Sequence, residues 1–218
     1  ELGKQIEYYQ RIGSTNKEAW ELIDLEEARH GTIVITDNQL CGKGRNGNNW
    51  FMSPSKGLAM SIILKKSISV QDGLLIPVAV GVAIAKALEN RGGNPKLKWP
   101  NDILFNDKKC GGVLCETRIK NSCIIQMVIG IGLNINETNN DFPDTLLKSA
   151  TSLAIETNQT NQRELVCAII TTYFERLLND LPSSIPIWND YCNHLNESVS
   201  FNKDGISRNG IFKQLNND

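Results

Sequence analysis

Residues 31–50 read Gly-Thr-Ile-Val-Ile-Thr-Asp-Asn-Gln-Leu-Cys-Gly-Lys-Gly-Arg-Asn-Gly-Asn-Asn-Trp. The β-branched start predicts a strand, which runs directly into a loop with three glycines and two cations. Glycine lets such a loop curl and approach a ligand closely, and successive free N–H groups in a curl bind anions. Lys43 and Arg45 add full charges. The loop therefore predicts a carboxylate or phosphate site, with a solvated basic hairpin as the alternative.

The glycine loop differs from the two common nucleotide-binding motifs. Its spacing, Gly42-x-Gly44-x-x-Gly47, is not followed by the apolar helix that Walker and Rossmann motifs require. The site must therefore be assigned from the rest of the chain.

The segments around the loop predict an α+β fold. Residues 57–64 are expected to form a partner strand, and residues 70–90 a long helix that is apolar on nearly all sides and therefore buried across a sheet. Residues 96–105 open as a strand that must break at Pro100, and residues 110–117 and 124–131 read as further strands. We expect a mixed, largely antiparallel sheet with helices packed on one face.

The two ends of the chain add smaller elements. Residues 6–9 predict a strand, and Thr15 with Glu18 fits a capping box at the start of an amphipathic helix. Near the C-terminus we expect a mobile loop over a site at residues 137–144 and two helices at residues 163–181 and 185–195. Two strands of an incomplete SH3-like module follow, at residues 198–201 and 210–213. The predicted domains are residues 1–195 and 196–218.

Composition narrows the class of protein. The 218 residues are 40% hydrophobic with a formal net charge of −1, which gives no general attraction to nucleic acid or membranes. We expect no apolar run near the ~20 residues of a membrane span and see no secretion signal. Six cysteines without a C-x-x-C pair predict free thiols in a reducing cytoplasm.

Polar residues interrupt the apolar strands at three further places: Lys98–Asp102, Lys109 before Gly111-Gly112, and Asn134. Taken singly, these residues could cap turns, form hydrogen bonds with backbone groups or face solvent. Glu116 is expected on a strand face near the exit of the sheet and is not assigned as a general base. Two histidines outside these segments give no credible nucleophilic set. A cationic, glycine-lined pocket without a nucleophile acts by positioning and charge stabilisation, which suits chemistry at phosphate.

Five motifs, in order, resemble those of the biotin protein ligase family. They are Ser14-Thr15-Asn16, the loop from Gln39 to Trp50, Lys98-Trp99-Pro100-Asn101-Asp102, Lys109-x-Gly111-Gly112-x-Leu114-x-Glu116, and Gly130-Ile131-Gly132-Leu133-Asn134. The resemblance implies a class II synthetase-like catalytic fold. It also implies that biotin and ATP form biotinyl-5′-adenylate, and that a lysine of a biotin carboxyl carrier protein, as in acetyl-CoA carboxylase, then accepts biotin.

The resemblance also implies roles for individual residues. Lys109 and Arg45 would be catalytic. Biotin would be bound by Ser14, Thr15, Asn16, Gln39, Gly42, Lys43, Gly44, Arg45, Lys109, Gly111 and Gly112. ATP would be bound by Lys43, Arg45, Trp50, Asn101, Asp102, Lys109 and Asn134. Asp102 would help to hold Mg²⁺, which is bound mostly by phosphate and water.

The chain departs from the family pattern in its loop. Lys43, Asn46 and Asn48 stand where the family commonly has arginine, and neither residue type supplies a bidentate fork. We expect weaker holding of ATP or pyrophosphate, or a leakier adenylate. Because the chain starts about a dozen residues before Ser14, we also expect no DNA-binding domain and no sequence-specific DNA binding. For a homodimer, the expected surface is an open sheet edge.

Two alternatives remain at the level of the sequence. A lipoate or octanoate protein ligase or transferase would share the fold and the positioned lysine. A non-catalytic binder, such as a biotin-sensing regulator or a basic-loop nucleic-acid module, is disfavoured by the neutral charge and sparse aromatics.

Overall fold

The computed structural model describes residues 2–203 and 205–216 of the chain. The strands are β1 (Ile6–Tyr9), β2 (Ile33–Thr36), β3 (Gly42–Lys43), β4 (Asn49–Trp50), β5 (Leu58–Leu64), β6 (Ile68–Ser69), β7 (Lys96–Lys98), β8 (Asp102–Phe105), β9 (Lys108–Lys120), β10 (Cys123–Leu133), β11 (Ser198–Lys203) and β12 (Ile206–Ile211). The helices are α1 (Thr15–Asp24), α2 (Val70–Asn90), α3 (Leu153–Thr157), α4 (Arg163–Leu178) and α5 (Ser184–Tyr191).

One mixed sheet organises the described residues. Its strands run in the order β1-β2-β5-β10-β9-β8-β7, and β6 pairs with the start of β10. β1 and β2 are parallel, whereas the neighbouring pairs from β2 to β7 are antiparallel. The mixed, largely antiparallel sheet predicted from the sequence is confirmed.

The central strand β5 is buried at every position, because both faces of the sheet are covered. Met60 and Ile62 pack in the main core with α2, α4 and α5. Ile63 points the other way and packs with Ala19 and Leu22 of α1. Three helices therefore lie on one face, as expected, and α1 lies on the opposite face.

Helix α2 is the centre of the main core. Among the described residues, α2 is the one helix that could cross a membrane by its length and composition. From the sequence we expected no apolar run of that length. In this fold most of its residues are buried. It packs against the sheet on one side and against α4 and α5 on the other. Burial on several sides explains why its apolar residues do not form a single stripe.

Several boundaries differ from the sequence expectation. Ser14, rather than Thr15, is the N-cap of α1, and its hydroxyl accepts from the Lys17 N–H. α4 and α5 each end earlier than predicted, the first before the short turn Leu181–Ser183. Residues 137–144, expected to be a mobile loop, contain the buried Phe142. The ion pair between Lys56 and Asp141 (2.6 Å) also holds this segment.

A C-terminal hairpin of β11 and β12 follows α5. Aromatic rings join it to the main domain: the centroids of His194 and Phe212 lie 4.5 Å apart, and Trp188 of α5 lies 6.2 Å from Phe212. Trp188 also meets Trp99 at 6.1 Å, immediately before Pro100, whose peptide bond is cis. The division at residue 195 and the SH3-like assignment remain predictions, and residues 204, 217 and 218 lie outside the described part.

Glu137 carries a carboxyl group that is fully buried beneath the segment leading into β5. Its Oε1 lies so close to Gly57 that a Cβ there would come within 2.7 Å of it. Burial raises the pKa of Glu137 to about 7, against the opposing effect of nearby backbone N–H groups. The group is therefore protonated in the folded chain over a range where it ionises in the unfolded chain.

This shift predicts a pH dependence of stability. Folded Glu137 holds its proton more tightly than the unfolded chain, so its contribution is fully present below pH 4.5 and is lost as the pH rises through 7. We expect Glu137→Gln to gain on the order of 3 kcal/mol relative to wild type across that range. Urea unfolding at a series of pH values measures it. Glu164→Gln, at a side chain that is 77% exposed, is the control, and equal pH profiles for wild type and Glu137→Gln would contradict the assignment.

Candidate functional site

A cavity of about 810 Å³ opens on the α1 face of the sheet. Its walls are the first turn of α1, the glycine loop, the start of β8, and parts of β9 and β10. Ser200 of the C-terminal hairpin also reaches it. The loop and motif residues that are far apart in the sequence thus meet in one place.

The floor of the cavity is made by facing strands that carry glycine. A Cβ on Gly130 would lie 2.3 Å from the Asn16 Oδ1, and one on Gly132 would lie 2.6 Å from the Trp50 Cε2. Both side chains therefore lie directly on the backbone of β10, which only glycine permits. Gly132 pairs with Gly112 of β9, and Gly112 faces the cavity beside the Lys109 side chain.

One end of the cavity is a network of neutral polar groups and a carboxylate. The Gln39 Oε1 accepts from the Thr15 backbone N–H at 2.9 Å. The buried Ser61 hydroxyl lies 2.8 Å from the Thr15 hydroxyl and 2.6 Å from the Asn16 Oδ1. Asn16 in turn donates to Glu116 at 2.8 Å. This end suits a ligand with both hydrogen-bond donors and acceptors.

The other end of the cavity is cationic. The Lys109 ammonium group contacts the Asp102 carboxylate at 2.5 Å. The Arg45 guanidinium reaches over to the Asn101 Oδ1 at 3.4 Å, and Asn101 is held by its own bond to the Val113 carbonyl (3.0 Å). With Lys43 also on the wall, cations outnumber the single carboxylate of Asp102 here, so this end favours a ligand with negative charge.

The glycine loop forms a closed hairpin at the cationic end. β3 pairs with β4, and the turn between them places Asn46 (φ 56°) and Gly47 (φ 77°) in the left-handed region. Asparagine and glycine are the residues that adopt this conformation at low cost. The hairpin carries Lys43 and Arg45 to the cavity on one side and Trp50 on the other.

A model of the biotin/lipoate A/B protein ligase family matches residues 8–134, more than half of the chain. The chain belongs to this family. All the predicted site residues, from Ser14 to Asn134, lie within the matched range.

Proteins that are named as ligases are among the relatives of this chain. The "Bifunctional ligase/repressor BirA" of Bacillus subtilis is 36% identical over 180 residues, covering 82% of this chain and 55% of the relative. The "Biotin--protein ligase" of Homo sapiens is 29% identical over 219 residues, covering 91% of this chain and 29% of that protein. This chain therefore spans about half the length of the bacterial relative.

Solved structures of biotin protein ligases share the fold. The Aquifex aeolicus biotin protein ligase in complex with biotin and ATP has a TM-score of 0.83 and 25% identity, covering 98% of this chain and 89% of that chain. A Leishmania major biotin protein ligase in complex with biotinyl-5-AMP has a TM-score of 0.73 at 20% identity, covering 88% of this chain and 83% of that chain, and shows the same fold.

Most of the residues that the ligase resemblance singled out line the cavity. They are Ser14, Thr15, Asn16, Gln39, Lys43, Gly44, Arg45, Trp50, Asn101, Asp102, Lys109 and Gly112. Asn16 differs from the expectation in one respect, because both atoms of its side-chain amide are already engaged, by Ser61 and Glu116.

Three predicted residues lie outside the cavity lining. The Asn134 amide donates to the Thr151 carbonyl at 2.9 Å, so its side chain provides a hydrogen-bond partner for a backbone group. A Cβ on Gly111 would lie 2.3 Å from the Leu133 Cδ2, so this glycine serves strand packing. A Cβ on Gly42 would lie 2.7 Å from the Trp50 carbonyl oxygen, so Gly42 closes the hairpin. The ligand contacts expected of Asn134, Gly111 and Gly42 therefore remain predictions, and the structure shows the packing in which each of these residues takes part.

Several residues that line or support the cavity were not among the predicted site residues, and Ser61, Glu116 and Trp20 are the ones that hold its hydrogen-bonding end. Ser61 is the single polar residue in the apolar strand β5, a signal that was available. Glu116 follows Gly112 and Leu114 at the two-residue period of one strand face, so it also faces the cavity. Trp20 of α1 donates to Glu116 at 3.4 Å, and its helical position gave no such signal.

The close contact between Gly130 and Asn16 can be tested by substitution. In Gly130→Ala the new methyl group must expel Asn16 from Ser61 and Glu116, and we expect a loss of about 2–4 kcal/mol in the free energy of unfolding. Gly112→Ala is the matched control on the facing strand, because its nearest neighbour would be 3.5 Å away. Urea unfolding of the unliganded chain measures both, and equal stabilities would contradict the packing described.

Proposed function

We propose that this chain is an ATP-dependent biotin ligase that forms biotinyl-5′-adenylate and transfers biotin to a lysine of a biotin carboxyl carrier protein. The observation that carries the proposal is the pairing of two unlike ends within one cavity, with Lys109 and Gly112 on the wall between them. A hydrogen-bonding end fits the cyclic urea of biotin, and a cationic end fits the carboxylate and the phosphates of ATP. The complex of the Aquifex aeolicus relative with biotin and ATP supports it.

The first step joins two anions, so charge must be stabilised. The biotin carboxylate oxygen attacks the α-phosphorus of ATP, a new carboxylate–phosphorus bond forms, and pyrophosphate leaves. Lys109 and Arg45 lower the repulsion between the reactants and stabilise the developing charge. The Lys109 ammonium is held by Asp102 at 2.5 Å in the unliganded chain, so ligand binding exchanges one anionic partner for another.

The second step needs no nucleophile from this chain. The neutral amine of the carrier lysine attacks the carbonyl carbon of the mixed anhydride, the bond from that carbon to the AMP oxygen breaks, and an amide, AMP and a proton to solvent are the products. His30 and His194 do not line the cavity, and burial is the main cause that lowers the pKa of each imidazole. The role of the site in this step is to orient the adenylate and to exclude water.

The residues at the cationic end fit a magnesium–nucleotide complex. In the described part of the chain no three His, Cys, Asp or Glu side chains cluster as a metal site. Asp102, beside Asn101, offers a single carboxylate, which suits Mg²⁺ because this ion keeps water and phosphate ligands. Bound there, Mg²⁺ would neutralise phosphate charge. Trp50, whose indole N–H has no partner among the described residues, lies where it can pack against the adenine.

The adenylation step predicts the effect of removing Lys109. With biotin, ATP and Mg²⁺, wild type should exchange labelled pyrophosphate into ATP, and Lys109→Gln should reduce the turnover rate by about 100-fold because one positioned charge is lost. Lys108→Gln, at the exposed neighbouring position of β9, is the control and should keep wild-type turnover.

The same assay separates the alternatives. Exchange with lipoate or octanoate instead of biotin would move the chain to the other branch of the family, and no exchange with any acid would favour a binding role. Homodimerisation through an open sheet edge and location in the cytoplasm also remain predictions.

The unusual glycine loop gives a second prediction. Asn48 lines the cavity and is exposed, and Asn48→Arg would add a fork for phosphate. We expect a decrease of about three- to fivefold in the KM for ATP and slower release of the adenylate. Asn90→Arg, at the exposed end of α2, controls for net charge. An unchanged KM in Asn48→Arg would show that the loop does not hold ATP weakly.

A further inference from the structure

We infer that Glu116 is a positioning residue that sets the direction of the hydrogen bonds at the biotin end of the cavity. This inference rests on the proposed function and assigns a new specificity determinant to the same site. Glu116 reaches this end through Asn16 and Ser61, so it acts on a ligand indirectly.

The Glu116 carboxylate defines one end of the chain of hydrogen bonds. Its Oε2 receives two donors, the Asn16 Nδ2 at 2.8 Å and the Trp20 Nε1 at 3.4 Å. An indole N–H can only donate, and a carboxylate can only accept. The orientation of the Asn16 amide is therefore fixed with its nitrogen toward Glu116 and its oxygen toward Ser61.

The fixed amide determines the next two protons. The Asn16 Oδ1 can only accept, so the Ser61 hydroxyl must donate to it across 2.6 Å. A hydroxyl has one proton, so the Ser61 oxygen must then accept from the Thr15 hydroxyl across 2.8 Å. The Thr15 proton points inward to Ser61, and its alternative contact with the Gln39 Oε1 (3.2 Å) is not made at the same time.

The result is a defined pattern at the cavity. Thr15 offers oxygen lone pairs, which accept from an N–H of a ligand. The Gln39 oxygen is held by the Thr15 backbone N–H at 2.9 Å, which leaves the Gln39 NH₂ group as a donor to a carbonyl. A cyclic urea has both complementary groups, whereas a dithiolane ring has neither.

Burial makes this pattern difficult to reverse. Ser61 is 0% exposed, Thr15 4% and Asn16 7%, so water cannot compensate for a reversed bond. Asn16 is also held against the backbone of β10 by the contact at Gly130. A site with fixed and buried polar groups discriminates strongly against a ligand that leaves them unpaired.

The first test is Glu116→Gln, which keeps the shape but adds an amide donor. The Trp20 N–H would hold the new amide oxygen at position 116 in place. Every variant is therefore made in a Trp20→Phe background and compared with Trp20→Phe, so that the Asn16 amide can turn over and reverse the order of donors and acceptors. We expect the KM for biotin in pyrophosphate exchange to rise by about tenfold or more, with the KM for ATP and the turnover at saturating biotin close to those of Trp20→Phe. Glu26→Gln, at an exposed position just after α1, is the control. An unchanged KM for biotin, or an equal rise for ATP, would overturn the inference.

A double variant restores the original direction of the hydrogen bonds by moving the negative charge from position 116 to position 16. When Glu116→Gln is combined with Asn16→Asp, the new amide at position 116 donates to the new carboxylate at position 16, which again accepts from Ser61. We expect a KM for biotin within about threefold of that of Trp20→Phe, although Asn16→Asp alone places two carboxylates together and raises this KM. A double variant that is no better than the poorer single variant would overturn the inference.

A last variant tests whether Glu116 acts on the ligand through Ser61 or independently of it. Ser61→Ala breaks the series of hydrogen bonds between Asn16 and Thr15. If Glu116 acts through this series, adding Glu116→Gln to Ser61→Ala should raise the KM for biotin no further. If the two residues act independently, their effects on this KM should multiply. Multiplying effects would overturn the inference. Biotin-dependent exchange by wild type is measured alongside: its absence would defeat the proposed function itself, whereas its presence with unshifted variants would defeat only the role of Glu116.

Discussion

The packing of α1 and the glycine hairpin directly on the backbone of β10 is the contact on which the site depends. It is possible because Gly130 and Gly132 have no side chains, so Asn16 and Trp50 lie on the sheet itself. Replacing either glycine would separate a wall from the floor. The apolar core on the other face, built around α2, keeps these strands in register, and β5 joins the two faces by placing Ser61 among the polar groups of α1.

The cavity combines two kinds of recognition that require different physics. At one end buried neutral groups and a carboxylate define the direction of each hydrogen bond, and at the other exposed cations attract charge without strict geometry. Lys109 lies with the second set but adjoins Gly112 on the wall toward the first. In the proposed ligase, this arrangement would let one bound acid place its ring and its carboxylate in different environments, and the acid would be activated without a nucleophile from the protein.

Much of this arrangement could be predicted from the sequence. The bounds of α2 and β5 followed from apolar pattern, and the ordered motifs indicated a ligase of this family before any contact was known. The side-chain partners could not be predicted, because they depend on packing. Asn134 was predicted to contact the nucleotide, and nothing in the sequence indicated that its amide donates to the Thr151 carbonyl. Glu116 looked peripheral, but the register of β9 brings it to Asn16.

The central claim is that the acid itself attacks the α-phosphorus of ATP. It can be measured with biotin whose carboxylate carries heavy oxygen, in the presence of ATP, Mg²⁺ and a carrier protein. After the carrier lysine takes the biotinyl group, one labelled oxygen should remain on AMP, because the bond broken in transfer is the one between the carbonyl carbon and that oxygen. Label in orthophosphate, or biotinylated carrier with unlabelled AMP, would contradict the account.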